Sequence, residues 1–223
     1  MSVNVKICGL TGREAAEATL KAGAEFGGLV FFPPSPRHLG LDRARSIAAL
    51  LRGRVRIVTL MVDPTDAQVA EVTAAISPDL IQLHGKETPA RVAEIARHAG
   101  RPIIKALAVA ESADIARAHA YEDVAEYFLF DAKADSTATR PGGLGAAFDW
   151  QLLAGRSFKR PWGLAGGLTP DNVARAIRIA GPAFVDASSG VEESPGKKSP
   201  DKIAAFVTAA RNAQYTDQKA GAA

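Results

Sequence analysis

Cysteine is nearly absent from this chain, since Cys8 is the single thiol in 223 residues. One cysteine excludes an intramolecular disulfide, so we expect a reducing, cytoplasmic location. A lone thiol is most often a small buried packing residue. Cys8, however, ends an apolar strand-like run and is followed by Gly9. This position at the carboxyl end of the first predicted strand favours a chemical role over simple packing.

Aromatic residues and long apolar runs are also scarce. Aromatics make up 6% of the chain, and the net charge of +3 comes from scattered rather than clustered basic residues. A nucleic-acid-binding surface usually carries a basic stripe with interleaved aromatics, so we expect no nucleic-acid partner. No apolar run reaches the ~18–20 residues that a membrane span needs. The strand pattern begins by Val3 and leaves no room for a signal peptide, so we expect no membrane association.

Strand-like and helical segments alternate along the whole chain. The predicted strands cover residues 3–7, 26–31, 55–62, 80–84, 102–107, 126–130, 160–165 and 183–187. The predicted helices begin near Thr11, Asp42, Asp66, Thr88, Glu111, Asp149, Pro170 and Ser199. Strict alternation implies parallel strands, and eight such units predict a single-domain α/β fold, the (β/α)8 TIM barrel. A doubly wound open sheet is the alternative.

The barrel is predicted to occupy residues 1–212, and the small, polar segment 213–223 is predicted to be a disordered tail. Helix ends support this organisation. Asp42, Thr88 and Ser199 are placed to cap helices, and Gly23, Gly100 and Gly181 follow helical patterns where a left-handed residue ends a helix.

Polar residues gather at the carboxyl ends of the predicted strands, where β/α barrels hold their active sites. They are Cys8, Arg37, Asp63, His84, Lys105, Asp131 and Asp186. Each has a structural alternative, because acids also cap helices or form loop ion pairs, and Arg37 could be a solvated loop charge. Alternation places His84 on the face of Gln82, and Lys6 on the face of Cys8. Lys6 would there serve structure or stabilise a thiolate.

Two loops carry the residue types that bind phosphate. Gly166 and Gly167 follow the seventh predicted strand, and Ser188, Ser189 and Gly190 follow the eighth. Glycines let backbone N–H groups approach phosphate oxygens, and the loops after strands seven and eight are the usual phosphate site of such barrels. A small-molecule phosphosugar is therefore the expected partner. The spacing of His, Cys and Glu predicts no metal site.

Seven short motifs, each at a strand end or in a following loop, together resemble the phosphoribosylanthranilate isomerase family. They are VKICGLT (5–11), FFPPSPR (31–37), IQLHG (81–85), LFDAK (129–133), GLGAAFDW (143–150), LAGGL (164–168) and SSGVE (188–192). The resemblance covers about residues 3–210. It implies a (β/α)8 barrel that rearranges N-(5'-phosphoribosyl)anthranilate to 1-(2-carboxyphenylamino)-1-deoxyribulose 5-phosphate in tryptophan biosynthesis, without a cofactor.

The resemblance also implies roles for individual residues. Cys8 would be the general base and Asp131 the general acid, while Arg37 would bind the anthranilate carboxylate. The resemblance implies that Gly166, Gly167, Ser188, Ser189 and Gly190 hold the phosphate of the substrate, and from their positions at strand ends we expect His84 and Asp186 to contact the substrate. As the base, Cys8 would be partly exposed at the barrel mouth and open to alkylation. One departure is Leu144, which stands between glycines in the long loop after Asp131 where a small polar residue would be expected.

Three other interpretations remain open. The related isomerase of histidine biosynthesis would carry a carboxylate in place of Cys8. The synthase that follows in tryptophan biosynthesis would rely on lysine chemistry and an added N-terminal segment. A non-catalytic phosphosugar-binding barrel would be expected to lack Cys8 or Asp131. The sequence leaves the oligomeric state open between a monomer and a homodimer.

Overall fold

Eight parallel strands close into a barrel in a computed structural model that describes residues 3–133 and 148–220. The strands are β1 Asn4–Cys8, β2 Phe26–Phe31, β3 Arg56–Met61, β4 Leu80–Leu83, β5 Ile103–Val109, β6 Tyr127–Ala132, β7 Trp162–Leu164 and β8 Phe184–Ala187. Each strand pairs with the next in sequence, and β8 pairs with β1. The predicted (β/α)8 barrel is confirmed, and the open sheet is excluded.

Helices connect the strands on the outside of the barrel. They are α1 Arg13–Ala22, α2 Leu41–Leu51, α3 Asp66–Ile76, α4 Pro89–Ala99, α5 Ser112–Ala116, α6 Val173–Ala180 and α7 Pro200–Ala220. A 3-10 helix, Arg117–Tyr121, continues α5, and two more span Trp150–Leu153 and Ser189–Val191. After β8 an antiparallel hairpin, β9 Glu192–Ser194 and β10 Lys197–Lys198, returns the chain to α7.

Two of the predicted helices differ from the structure. The helix predicted from Asp149 is a single 3-10 turn, which the Asp149 carboxylate opens by accepting the Gln151 N–H. Gly155, in the left-handed region at φ 69°, follows that turn and ends it. The helix predicted from Pro170 begins three residues later, at Val173. There Asn172 accepts the Thr169 N–H and holds the preceding residues in a turn.

Helix ends follow local capping chemistry. The Thr88 hydroxyl accepts the Arg91 N–H at the start of α4, and Pro89 occupies the first helical position. Gly23, Gly100 and Gly181 adopt the predicted left-handed conformation. Asp42 is not the cap of α2, because the helix begins at Leu41 and Gly40 occupies the cap position, so that Asp42 already lies inside the helix. Its carboxylate lies in the first turn, where it is favourable to the helix dipole.

The core has two layers because side chains alternate across each strand. Val5 and Ile7 on β1 pack outward against the helices, whereas Lys6 and Cys8 lie on the inner face. The inner apolar layer consists of Phe26, Val58, Leu80, Ile104, Ala106, Leu129, Ala165 and Phe184. This packed layer fills the barrel beneath the carboxyl ends of the strands and forms the floor on which polar side chains stand.

Two of the sequence predictions, the C-terminal tail and the GLGAAFDW motif, fall partly outside the described residues. The predicted tail begins at Ala213, but the backbone of α7 continues as a helix through Ala220. Residues 221–223, Leu144 and most of the GLGAAFDW motif lie outside the described residues. The boundary at residue 212 stays a prediction. Among the described helices, none combines the length and apolar character that crossing a membrane requires.

Candidate active site

An open cavity, of about 710 Å³ including the space at its mouth, lies at the carboxyl ends of the strands and is lined by every residue proposed above to act on or bind the substrate. Its lining includes Cys8, Arg37, His84, Asp131, Gly166, Gly167, Asp186, Ser188, Ser189 and Gly190. Apolar side chains such as Val30, Leu60 and Leu168 complete the wall. These residues come from both halves of the sequence, and barrel closure brings them around one space. The cavity is therefore the candidate active site.

Cys8 is the last residue of β1 and lines the cavity floor, yet only 4% of its surface is exposed. The expectation of a partly exposed thiol is wrong. Alternation along the strand gives the face of a side chain but not its depth below the rim. Gly28 on the neighbouring strand makes room for the thiol, because a Cβ there would lie 2.9 Å from Sγ. The Gly27-Gly28 pair in the second strand was the sequence signal for this close approach.

Lys6 forms a buried ion pair beneath Cys8. Its Nζ lies 2.9 Å from Oδ2 of Asp186, and the two residues are direct partners in the pairing of β1 with β8. Burial lowers the pKa of Lys6, but the Asp186 carboxylate and the Cys8 sulfur together outweigh burial and leave that pKa above its ordinary value. Oδ1 of Asp186 is buried and has no hydrogen-bond partner among the described residues. One carboxylate oxygen is thus left for a ligand.

Burial raises the pKa of the Cys8 thiol above its ordinary value. The positive charges of Lys6 and Lys198 lower that pKa, but together they do not outweigh burial and the nearby Asp186 carboxylate. Lys6 therefore lowers the pKa of Cys8, as the sequence predicts, but this effect alone does not produce a thiolate. In the free protein Cys8 is predominantly a thiol.

Asp131 and His84 meet across the cavity wall. Nε2 of His84 lies 3.2 Å from Oδ2 of Asp131, and Nδ1 of His84 lies 3.0 Å from Nε2 of Gln82. The predicted shared face of Gln82 and His84 is therefore observed. Gln82 is fully buried. The alternation along the strand predicted on which face Gln82 lies, but not its contact with the ring of His84.

Arg37 is buried in a two-point ion pair rather than solvated in a loop. Its Nε lies 2.7 Å from Oε1 of Glu192, and its Nη2 lies 2.8 Å from Oε2. Lys198 Nζ lies 2.7 Å from the same Oε1. Burial raises the pKa of Glu192, but these two cations hold it below its ordinary value. Arg37, Lys198 and Glu192 together carry a net charge of +1, which suits an anionic ligand. Glu192 was not predicted as a site residue, although it belongs to the SSGVE motif.

The two glycine-containing loops touch each other at the cavity edge. Gly166 and Gly167 both adopt positive φ angles, 85° and 63°. A side chain on Gly190 would overlap the carbonyl oxygen of Leu168 in the other loop. Lys198 Nζ donates to the backbone carbonyl of Ser188 at 3.1 Å and so fixes the second loop. The predicted phosphate-binding residues thus form one continuous border of the cavity.

Asp63 and Lys105 do not join the site, although both lie near strand ends. Lys105 Nζ lies 2.7 Å from Oε2 of Glu87 and donates to the Gly85 carbonyl at 2.9 Å. Burial lowers the pKa of Lys105, and the Glu87 carboxylate only partly restores it. Asp63, in the left-handed region at φ 45°, accepts the Lys86 N–H. These contacts order the loop after β4 from outside the cavity.

One cluster of possible metal ligands occurs in the described part of the chain, on the outside of the barrel. Asp66, Glu94 and His98 bring ligand atoms within 4.8 Å of one another. Arg91 already lies 2.6 Å from both carboxylates, so a cation is in place without a metal. This cluster on α3 and α4 is separate from the cavity and adds nothing to its chemistry.

The sequence matches the family model of N-(5'phosphoribosyl)anthranilate (PRA) isomerase over residues 5–209. It is 51% identical over 219 residues to N-(5'-phosphoribosyl)anthranilate isomerase of Bradyrhizobium diazoefficiens, covering 98% of each chain. The fold is similar to the crystal structure of phosphoribosyl anthranilate isomerase from Thermotoga maritima, with a TM-score of 0.86, 36% identity, and 94% and 99% of the two chains covered. A related crystal structure, with a TM-score of 0.82, 34% identity and the same coverage, is a complex with reduced 1-(o-carboxyphenylamino)-1-deoxyribulose 5-phosphate.

Proposed function

The chain belongs to the N-(5'-phosphoribosyl)anthranilate isomerase family, and on that premise we propose Cys8 as the general base and Asp131 as the general acid of its reaction. The enzyme is an isomerase of tryptophan biosynthesis. The observation that carries the proposal is that both side chains line one cavity, from β1 and β6, above a packed apolar floor. We also propose that it works in the cytoplasm, where a single thiol stays reduced.

The first step needs an acid. Opening the furanose ring breaks the bond between C1' and the ring oxygen, and Asp131 donates a proton to that oxygen as the bond breaks. The electron pair of the anthranilate nitrogen forms the C1'=N bond, which leaves a protonated Schiff base. The position of Asp131 on the inner face near the end of β6, with 5% of its surface exposed, suits delivery of a proton to a bound sugar.

The second step needs a base. Cys8, as the thiolate, removes the proton from C2', and the electron pair moves to the Schiff base to give a neutral enolamine. Tautomerisation to the ketone then completes the rearrangement without net gain or loss of a proton. Burial keeps the Cys8 pKa high in the free enzyme. The positive Schiff base, once formed beside the thiol, lowers that pKa, so that Cys8 passes its own proton to solvent and the resulting thiolate takes the proton from C2'. Asp131 regains a proton from solvent before the next turnover, which restores both side chains to their starting forms.

The remaining cavity residues are proposed to hold the substrate. Arg37 would bind the anthranilate carboxylate, since its guanidinium lines the cavity while Glu192 fixes its orientation. The two glycine-containing loops, 166–167 and 188–190, would bind the phosphate through backbone N–H groups and serine hydroxyls. His84 and Asp186 complete the set, and the unpartnered Oδ1 of Asp186 offers an acceptor to a substrate hydroxyl.

A coupled fluorescence assay tests the assignments by generating the labile phosphoribosylanthranilate in situ and following its loss. We expect Cys8→Ser and Asp131→Asn each to lower kcat by about 10²–10⁴-fold, the contribution of a positioned acid or base. Asp63→Asn is the matched control, because Asp63 also follows a strand but lies outside the cavity. Wild-type kcat in either site variant would remove that residue from its role.

A further inference from the structure

Gln82 presents an unusual arrangement for a fully buried side chain. Its Nε2 lies 3.0 Å from Nδ1 of His84, while its Oε1 is buried with no hydrogen-bond partner among the described residues. An unpaired buried amide oxygen costs free energy, so an apolar side chain of similar length would suit this position better for stability alone. Gln82 lines the cavity, and the contact that its amide makes within the protein is the one between its nitrogen and His84.

That contact determines where His84 carries its proton. In this orientation the amide nitrogen of Gln82 donates and Nδ1 of His84 accepts, and a neutral ring then carries its proton on Nε2. Nε2 is the atom that lies 3.2 Å from Oδ2 of Asp131. We propose that Gln82 and His84 are positioning residues, which together fix the His84 Nε2–H tautomer and direct that N–H towards Asp131. The inference rests on the proposed function of Asp131 as the general acid.

The tautomer matters because it decides where the proton of Asp131 goes. A His84 ring with its proton on Nδ1 would present a lone pair on Nε2, which would compete with the substrate for the acid proton. With the proton on Nε2, Oδ2 of Asp131 is an acceptor, and the acid proton is kept on Oδ1. Oδ1 faces the loop after β7, since a Cβ on Gly166 would lie 3.0 Å from it. The acid proton therefore points along the cavity border that holds the substrate.

The backbone of His84 is held from the outer face of the barrel. Lys105 Nζ donates to the carbonyls of Leu83 at 3.3 Å and Gly85 at 2.9 Å, which flank His84 in sequence. Glu87 in turn binds the ammonium group at 2.7 Å. This clamp fixes the backbone from which the ring projects, while Gln82 fixes the ring itself. The buried Lys105–Glu87 pair, which lies outside the cavity, thereby contributes to the geometry of Asp131.

Nitrogen-15 NMR of the uniformly labelled wild-type protein tests the tautomer without a variant. The chain has four histidines, and the spectrum of His84→Asn assigns the ring by difference. We expect His84 to show the Nε2–H pattern, with proton couplings characteristic of a protonated Nε2 and an unprotonated Nδ1. The Nδ1–H pattern would overturn the inference.

Kinetics of Gln82→Met provide the second test, because methionine keeps the length of the side chain and removes its donor. We expect kcat to fall about 3- to 30-fold, as for loss of one hydrogen bond to a positioned group, with KM within about twofold. The NMR signal of His84 should then show both tautomers. Thr59→Val is the matched control, since Thr59 is also fully buried with an unpartnered oxygen but lies on the adjacent strand, outside the cavity lining. Unchanged kcat in Gln82→Met would overturn the inference.

The two proposals fail separately. Wild-type kcat in Asp131→Asn would remove the acid assignment and, with it, the catalytic reason for the tautomer. An inactive Asp131→Asn variant together with the Nδ1–H pattern in the wild-type protein would overturn the positioning role alone. An inactive Asp131→Asn variant with the Nε2–H pattern and a slowed Gln82→Met variant would support both.

Discussion

Arg37 and Glu192 are joined by two parallel hydrogen bonds, of 2.7 Å from Nε to Oε1 and 2.8 Å from Nη2 to Oε2, although 155 residues separate them in sequence. Both side chains are at least nine-tenths buried. Such a fork-to-fork pair fixes the plane of the guanidinium as well as its position. The proposed carboxylate-binding residue is therefore held in orientation before substrate arrives.

Removal of Glu192 tests the stability of this pair. In Glu192→Ala the buried charges of Arg37 and Lys198 lose their counter-ion, and we expect the free energy of unfolding to fall by about 3 kcal/mol or more. Urea denaturation followed by circular dichroism measures the change. Glu17→Ala is the control, because the Arg13–Glu17 pair is exposed, and its loss should cost less than about 1 kcal/mol. Equal effects in the two variants would contradict the prediction.

Replacement of Arg37 by lysine tests recognition without removing the charge. Lysine cannot form the planar, two-point contact, so we expect KM to rise about 10- to 100-fold while kcat changes less. Steady-state kinetics over a range of substrate concentrations separates the two constants. Arg45→Lys, which changes an exposed arginine paired with Asp42, should leave both constants unchanged. An Arg37→Lys enzyme with wild-type KM would refute carboxylate binding by Arg37.

Alkylation of Cys8 tests the direction of its pKa shift. Because burial raises the pKa of the thiol, the thiolate fraction at neutral pH is smaller than in an unfolded chain. The pH at which the iodoacetamide rate is half-maximal should lie above the ordinary thiol value of about 8.5 in the folded protein, and return to it in urea. Cys8 is the single thiol, so Cys8→Ser gives the background rate. A folded-state midpoint below that of the unfolded chain would show that Lys6 and Lys198 outweigh burial.

Gly166→Ala tests the close approach of the loop after β7 to the proposed acid. Gly166 has φ 85°, and a Cβ there would lie 2.5 Å from the backbone nitrogen of Ala132 and 3.0 Å from Oδ1 of Asp131. We expect kcat to fall by about tenfold or more, since small displacements of a catalytic group are costly. Gly53→Ala is the control, because Gly53 also has a positive φ, 73°, but an added Cβ meets nothing within 4 Å. Similar activity in both variants would contradict a specific role for the Gly166 contact.

The sequence was sufficient for the strands and for most of the polar side chains that line the cavity, although Asp63 and Lys105 lie outside it. Each strand was identifiable by a short apolar run, and the carboxyl ends of parallel strands necessarily share one rim. The sequence was insufficient for partners that are remote along the chain. The contacts of Arg37 with Glu192, and of Lys6 with Asp186, depend on barrel closure and leave no local pattern. The depth of Cys8 was also not predicted, because the alternation of side chains indicates on which face of a strand a residue lies and not how far below the barrel rim it lies.

The Lys6–Asp186 pair lies on the seam where the first and last strands of the barrel meet. Its two residues are 180 positions apart, so the Lys6 ammonium gains its counter-ion only when β8 joins β1 and closes the barrel. A buried ammonium without its partner is costly, so this pair stabilises the closed barrel against any arrangement in which β8 is displaced while Lys6 stays buried. Cys8 stands two residues from Lys6 on the same strand. Closure of the barrel therefore completes the surroundings of the proposed base, and a truncated chain that ends before β8 should lack both the closing strand pair and the ion pair beneath Cys8.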